Sequence, residues 1–329
     1  MNDTTQKPEG TDRPSQFEGS WEKSGRNLTS AAILGFIIIG IIYVYAQGFI
    51  GLIAMGFQNS GGSESAKSGK TVIDMLTARA IATKNPIRYS VVIAEFIFML
   101  LPTIWIIRRW HTKDVLRYIR FARVPVLEIL LAVVASVLFF PTSSAISGFL
   151  LKQLDFPDFL ARINSEIFTS YTPREFVWVI VVVCVTPAIC EETLFRGYVQ
   201  RTFERTLGLT SIFVAGILFG LYHMRPLNLV SLSLLGIMIG FFFYRSKSIL
   251  PGMAAHFTNN FVAVLQLYKL PDGKARFPFL SSDIPLVIVL LTAIGTGFVI
   301  LYYAKVTKRN FAASSAASYP EAESSDGNS

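Results

Sequence analysis

Six polar residues in the second half of the chain stand where an apolar sequence has little ordinary use for them: Glu191, Glu192, Arg196, His223, His256 and Asn260. An ionisable group inside a membrane span costs about 2.5–3.5 kcal/mol even on a lenient insertion scale, so such groups need a reason. Glu192 and Arg196 are four residues apart and share a helix face, where they can pair. His256 and Asn260 have the same spacing and point toward one neighbour. Leu207-Gly208 reads as the turn of a helical hairpin, with Glu191 16 residues before Leu207 and His223 16 after it. Equal distance from the turn predicts equal depth if both helices run unbroken. His256 starts from a different loop, and its depth is less fixed.

Each of these residues alone has a structural explanation: a snorkelling salt bridge, an interhelical histidine bond, an asparagine gluing two helices. Two carboxylates, two imidazoles and an amide converging would need all of those explanations at once, which points to a functional site. Carboxylate, imidazole and amide together suit a hydrolase that activates water. In that chemistry Glu191 is the general base, a histidine shares its proton or holds the water, and His256 and Asn260 donate to the oxyanion of a tetrahedral intermediate. Glu with two His could equally bind zinc. The His-Glu-x-x-His signature of helix-borne metalloproteases is absent, as are a P-loop and a Ser/His/Asp order. The third histidine, His111, falls in a basic loop and reads as solvated.

The elements that must hold these groups are membrane helices. Of 329 residues, 52% are hydrophobic and 16% charged, against about 25% charged in a soluble domain. Eight apolar segments predict an all-α polytopic bundle of about eight spans, at about 31–55, 89–107, 125–140, 176–194, 209–223, 227–243, 249–268 and 284–303. Gly216/Gly220 and Gly236/Gly240 have the GxxxG spacing that lets helix backbones approach, and packing suffices to explain them. Cys184 and Cys190 would lie roughly 9 Å apart along one helix, beyond disulfide reach. The net charge of +8 comes from basic residues scattered between apolar runs, which fits membrane flanks and not nucleic acid. With the N-terminus inside, the inner segments hold 18 Lys and Arg and the outer ones 12, so both termini are expected in the cytoplasm. The strongest basic element runs from Arg108 to Arg123 and reads as an amphipathic stretch on the membrane surface. The expected organisation is a polar tail over 1–30, a membrane domain over 31–305 with its core at 175–265, and a disordered tail over 306–329. A Gly/Ser-rich loop is expected at 58–70.

Three motifs follow one another in these helices. Glu191-Glu192-Thr-Leu-Phe-Arg196 fits EExxxR, Phe219-Gly-Leu-Tyr-His223 fits FxxxH, and His256-Phe-Thr-Asn-Asn260 fits HxxxN. The chain thereby resembles the CPBP family of intramembrane proteases, also called the Abi or CAAX prenyl protease type II family, over roughly 175–265. The resemblance implies a helical bundle that cuts a peptide near the membrane face. It implies that Glu191 and His223 activate water, that His256 and Asn260 stabilise the oxyanion, and that Glu192 and Arg196 hold the helix register and orient Glu191. Zinc is a possible but disfavoured cofactor, since a carboxylate–histidine mechanism needs no ligated metal; no other cofactor is implied. The partners implied are a peptide or lipid-modified protein substrate and membrane lipids, in a plasma (inner) membrane. Two rival readings use the same polar cluster: a non-catalytic scaffold or immunity protein, and a small-solute transporter. A transporter of that kind often shows repeat symmetry, whereas here the polar cluster lies in residues 191–260.

Overall fold

The computed structural model describes residues 17–56, 84–153, 165–277 and 284–308. The expected loop at 58–70, the first sixteen residues and the tail beyond 308 lie outside the described residues. In chain order the helices are α1 (Ser20–Lys23), α2 (Leu28–Gly56), α3 (Lys84–His111), α4 (Val115–Tyr118), α5 (Val126–Gln153) and α6 (Pro173–Leu207). They continue with α7 (Thr210–Tyr222), α8 (Leu229–Ser246), α9 (Leu250–Gln266) and α10 (Leu286–Val306).

Each apolar segment read from the sequence is a helix. Six are long and apolar enough to cross a membrane: α2, α3, α5, α6, α10 and the stretch Pro226–Ser246 that includes α8. The remaining two, α7 and α9, have 13 and 17 residues. Two helices outrun their expected ends. α5 continues through Pro141 to Gln153, and α6 runs past Glu191 and Arg196 to Leu207, because its polar residues face protein and do not mark the end of a span. The outer faces of α2 and α10 expose Tyr45, Phe49, Leu52, Leu286, Leu291 and Phe298, an apolar coat that a soluble protein would bury. The chain is an integral membrane protein.

α5 packs against α8, α9 and α10, while α2 and α3 close the bundle against α6. The α6–α7 hairpin turns at Gly208, whose φ of 54° is a left-handed conformation that suits glycine. Beyond it α7 crosses α8 at the two GxxxG stripes. A Cβ on Gly216 would stand 2.7 Å from the backbone nitrogen of Ile237, and one on Gly236 2.8 Å from the carbonyl oxygen of Gly216. Both positions therefore need the missing side chain for the helices to meet. Cys184 and Cys190 are buried free thiols.

His111 corrects its reading as a solvated loop residue. It is fully buried at the end of α3, and its Nδ1–H donates to Glu22 Oε1 at 2.7 Å. Glu22 also takes both guanidinium nitrogens of Arg205, so it ties the N-terminal segment to α3 and α6. Gly19 lies so close to Trp110 that a Cβ would collide with that residue's backbone, and its N–H donates to the His111 carbonyl. Residues 17–24 are therefore docked onto the bundle; the earlier part of the polar tail lies outside the described residues.

Candidate active site

α6 carries Glu191, Glu192 and Arg196 on a helix whose pitch changes twice. Residues Val181–Val185 and Thr193–Gln200 form π-helical turns on either side of Thr186–Glu192, an irregularity frequent at functional sites. Pro187 has no N–H for the carbonyl of Val183, four residues earlier. Asn260 supplies the missing donor: its Nδ2–H bonds Val183 O at 2.8 Å, pinning α9 to α6 across the site.

His223 closes α7. Its Nδ1–H donates to the carbonyl of Phe219 at 2.8 Å. The bond satisfies one of the acceptors a helix leaves open at its C-terminus. It also fixes the tautomer, so Nε2 carries the lone pair. Nε2 lies 3.7 Å from Glu191 Oε2. The equal depth expected from the hairpin is therefore what the structure shows.

His256 gets its depth from the turn between α8 and α9. Lys247 adopts φ 55°, Ser248 Oγ donates to Ala122 O at 2.6 Å, and Ile249 N donates to Arg120 O at 3.0 Å. With Pro251 in its first turn, α9 starts at a set height. The imidazole then stands between the two carboxylates. Its Nδ1 is 2.7 Å from Glu192 Oε1, and its Nε2 is 3.9 Å from Glu191 Oε2. Glu192 Oε1 also accepts from Arg196 Nη1 at 2.7 Å, and the whole triad is buried. Arg196 Nη2 continues to the carbonyl of Gly236 at 2.9 Å, and Gln200 Nε2 to that of Gly240 at 2.8 Å. The glycines thus do more than pack: without a Cβ they leave two backbone carbonyls open to side chains from α6.

Phe219 explains the aromatic residue of its motif. Its ring packs edge-on to His223 at 4.7 Å and to His256 at 5.6 Å, and the Arg196 guanidinium sits 4.8 Å from its centroid. Edge-on rings and a cation over the face are both favourable to the aromatic quadrupole. One ring steadies three of the polar groups. Glu191, His223, His256 and Asn260 all line a cavity of about 700 Å³ between α2, α3, α5, α6 and α9. Glu191 Oε2, which faces both Nε2 atoms, is buried without a hydrogen-bond partner among the described residues, and is open to a small polar molecule.

The structure brings all six sequence-derived residues together. Glu192 sits beneath His256, bonded to its imidazole. Sequence reasoning missed Gln200 and Glu95. Glu95 is a carboxylate on α3, 2% exposed and lining the same cavity. Its signal was present: a lone Glu inside an otherwise apolar span. Among the described residues no group of three or more His, Cys, Asp or Glu is arranged to hold a metal ion.

Residues 173–262, from the first residue of α6 to just past Asn260, match the family model described as type II CAAX prenyl endopeptidase Rce1-like. That stretch is similar to an Rce1-like domain. All six polar residues fall inside it, and the helices that complete the cavity wall, α2, α3 and α5, fall outside it. No curated protein and no solved structure matches the chain. The likeness over residues 173–262 and the apolar helices together support a membrane peptidase.

Proposed function

We propose that the protein hydrolyses a peptide bond in a prenylated or otherwise membrane-held peptide, using a water activated by Glu191 and His223. The observation that carries this reading is the convergence of two imidazole Nε2 atoms on one carboxylate oxygen, at 3.7 and 3.9 Å, with both Nδ1 atoms already engaged. A water beside Glu191 Oε2 lies within reach of both rings. Glu191 takes a proton from it as the oxygen attacks the carbonyl carbon, and His223 Nε2 accepts the water's other hydrogen as a hydrogen bond. His256, backed at Nδ1 by Glu192, donates from a protonated Nε2 to the developing oxyanion. The second N–H of Asn260, whose first is held by Val183, donates beside it. Glu191 then passes its proton to the leaving nitrogen as the C–N bond breaks. Arg196 holds Glu192, and so His256, in place. The membrane we assign is the plasma (inner) membrane, with both termini in the cytoplasm.

The test uses purified protein with a panel of prenylated and unmodified membrane peptides. Wild type is expected to cleave at least one, and Glu191→Ala and His223→Ala to lose about 10²–10⁴-fold in kcat/KM, as for a general base and its partner. A wild type that cleaves nothing, or variants that cleave as well as it does, sinks the reading. Activity that persists in strong chelators is expected from a mechanism with no ligated metal; its loss would count against this one.

A further inference from the structure

Glu95 is unused by the mechanism above. It lies in the π-helical turn Ala94–Leu100 of α3, packed against the Thr186–Glu192 stretch of α6, and it lines the cavity that Glu191 lines. The two carboxyls are close enough to feel each other's charge. The titratable groups facing this corner are Tyr43 from α2, Cys190 and Glu191 from α6, Tyr222 and His223 from the end of α7, and His256 from α9, the two imidazole Nε2 atoms standing 3.7 and 3.9 Å from Glu191 Oε2, while Arg225 acts on Glu191 and Tyr43. Three buried oxygens on this wall have no hydrogen-bond partner among the described residues: Glu95 Oε2, Glu191 Oε2 and the Tyr222 hydroxyl. A buried carboxyl without a bonded cation is costly when charged, and two neighbouring ones are costlier still. The low-cost arrangement is one proton held between them.

We propose that Glu95 is a positioning residue of the site, sharing one proton with Glu191 so that it donates a hydrogen bond while Glu191 carries the charge. The donated bond, direct or through the attacking water, aims Glu191 and leaves it basic. Glu95 enters from α3, outside the Rce1-like stretch, so in this chain the first half of the protein contributes to the chemistry and not only to the walls. The catalytic consequence rests on the peptidase reading; the shared proton does not.

Two measurements on the full chain in nanodiscs separate the ideas. The infrared difference spectrum between wild type and Glu95→Gln is expected to show loss of a protonated-carboxyl C=O band, displaced in frequency when Glu191→Gln removes the partner. In peptide cleavage, Glu95→Ala is expected to lower kcat about tenfold or more with KM little changed. Glu95→Gln, which keeps a donor but cannot lose a proton, should recover most of that loss and move the alkaline limb of the kcat–pH profile to higher pH. Equal losses in both variants with an unaltered profile, or a wild-type kcat in Glu95→Ala, overturn the proposal. If wild type cleaves no peptide, the peptidase reading fails, and the infrared band alone decides Glu95: no band lost in Glu95→Gln overturns it.

Discussion

Glu192 Oε1 accepts from Arg196 and His256 at 2.7 Å each, so one oxygen joins a structural cation to a site imidazole. Gln in its place leaves a buried guanidinium without a counter-charge, which typically costs about 3–5 kcal/mol. The same change removes the anion behind His256. Glu192→Gln is therefore expected to lower thermal stability in detergent and to lower kcat roughly 10²–10³-fold, the scale of losing one oriented donor. Wild-type values in both assays would show that the triad neither holds the helices nor supports the imidazole. At this scale much was legible beforehand. Residue type and i, i+4 spacing identified the Glu192–Arg196 pair, and the hairpin count placed Glu191 opposite His223. What spacing could not show was that Glu192 serves His256 from another helix, or that Asn260 spends one N–H on the carbonyl freed by Pro187. Glu95 escaped because a single charge in a distant span forms no pattern with residues 191–260 until the fold brings α3 to α6.

Helices were readable as elements, and their pitch was not. Long apolar runs mark spans whatever their neighbours, whereas the π turns before and after Glu191 depend on what each turn packs against and leave no period in the sequence. The docked segment 17–24 was hidden for a related reason: it is polar, short and held by single contacts. Its anchor gives a pH dependence. Burial alone would push the Glu22 carboxyl up, but the hydrogen bonds and charges of His111 and Arg205 outweigh it and hold the carboxyl at about 2, against an ordinary 4.5. The docked value is the lower one, so ionisation favours docking. That contribution is complete above about pH 4.5 and is lost as the pH falls from there toward 2. Hydrogen exchange at the Gly19 amide, bonded to His111 O at 2.8 Å, is the gauge. Glu22→Gln is expected to speed that exchange at pH 7, with the difference from wild type shrinking below about pH 4.5 and vanishing only below about pH 2. Equal protection in the two proteins at pH 7 would show that Glu22 does not hold the segment.

Over the whole molecule, the stretch that matches the Rce1-like model carries the six polar residues and the flanking helices supply the chamber. Ser143, Ser144 and Ser147 of α5 face the cavity that Glu191 enters from α6. Ser144→Phe should occupy substrate space without touching the reacting groups. Peptide KM is then expected to rise about tenfold, roughly what a well-filled subsite contributes, with kcat and unfolding temperature near wild type. A fall in kcat at unchanged KM would place the substrate elsewhere. The bundle also anchors the buried Arg196 on a backbone carbonyl. Arg196 and Gln200 end on the backbone carbonyls of Gly236 and Gly240, and no mutation can delete a carbonyl. Sequence drift at 236 and 240 therefore cannot alter the chemistry of these two acceptors, only the distance at which α6 meets them. Tolerance at both positions should fall steeply with side-chain volume, a signature readable in a library of variants selected for function.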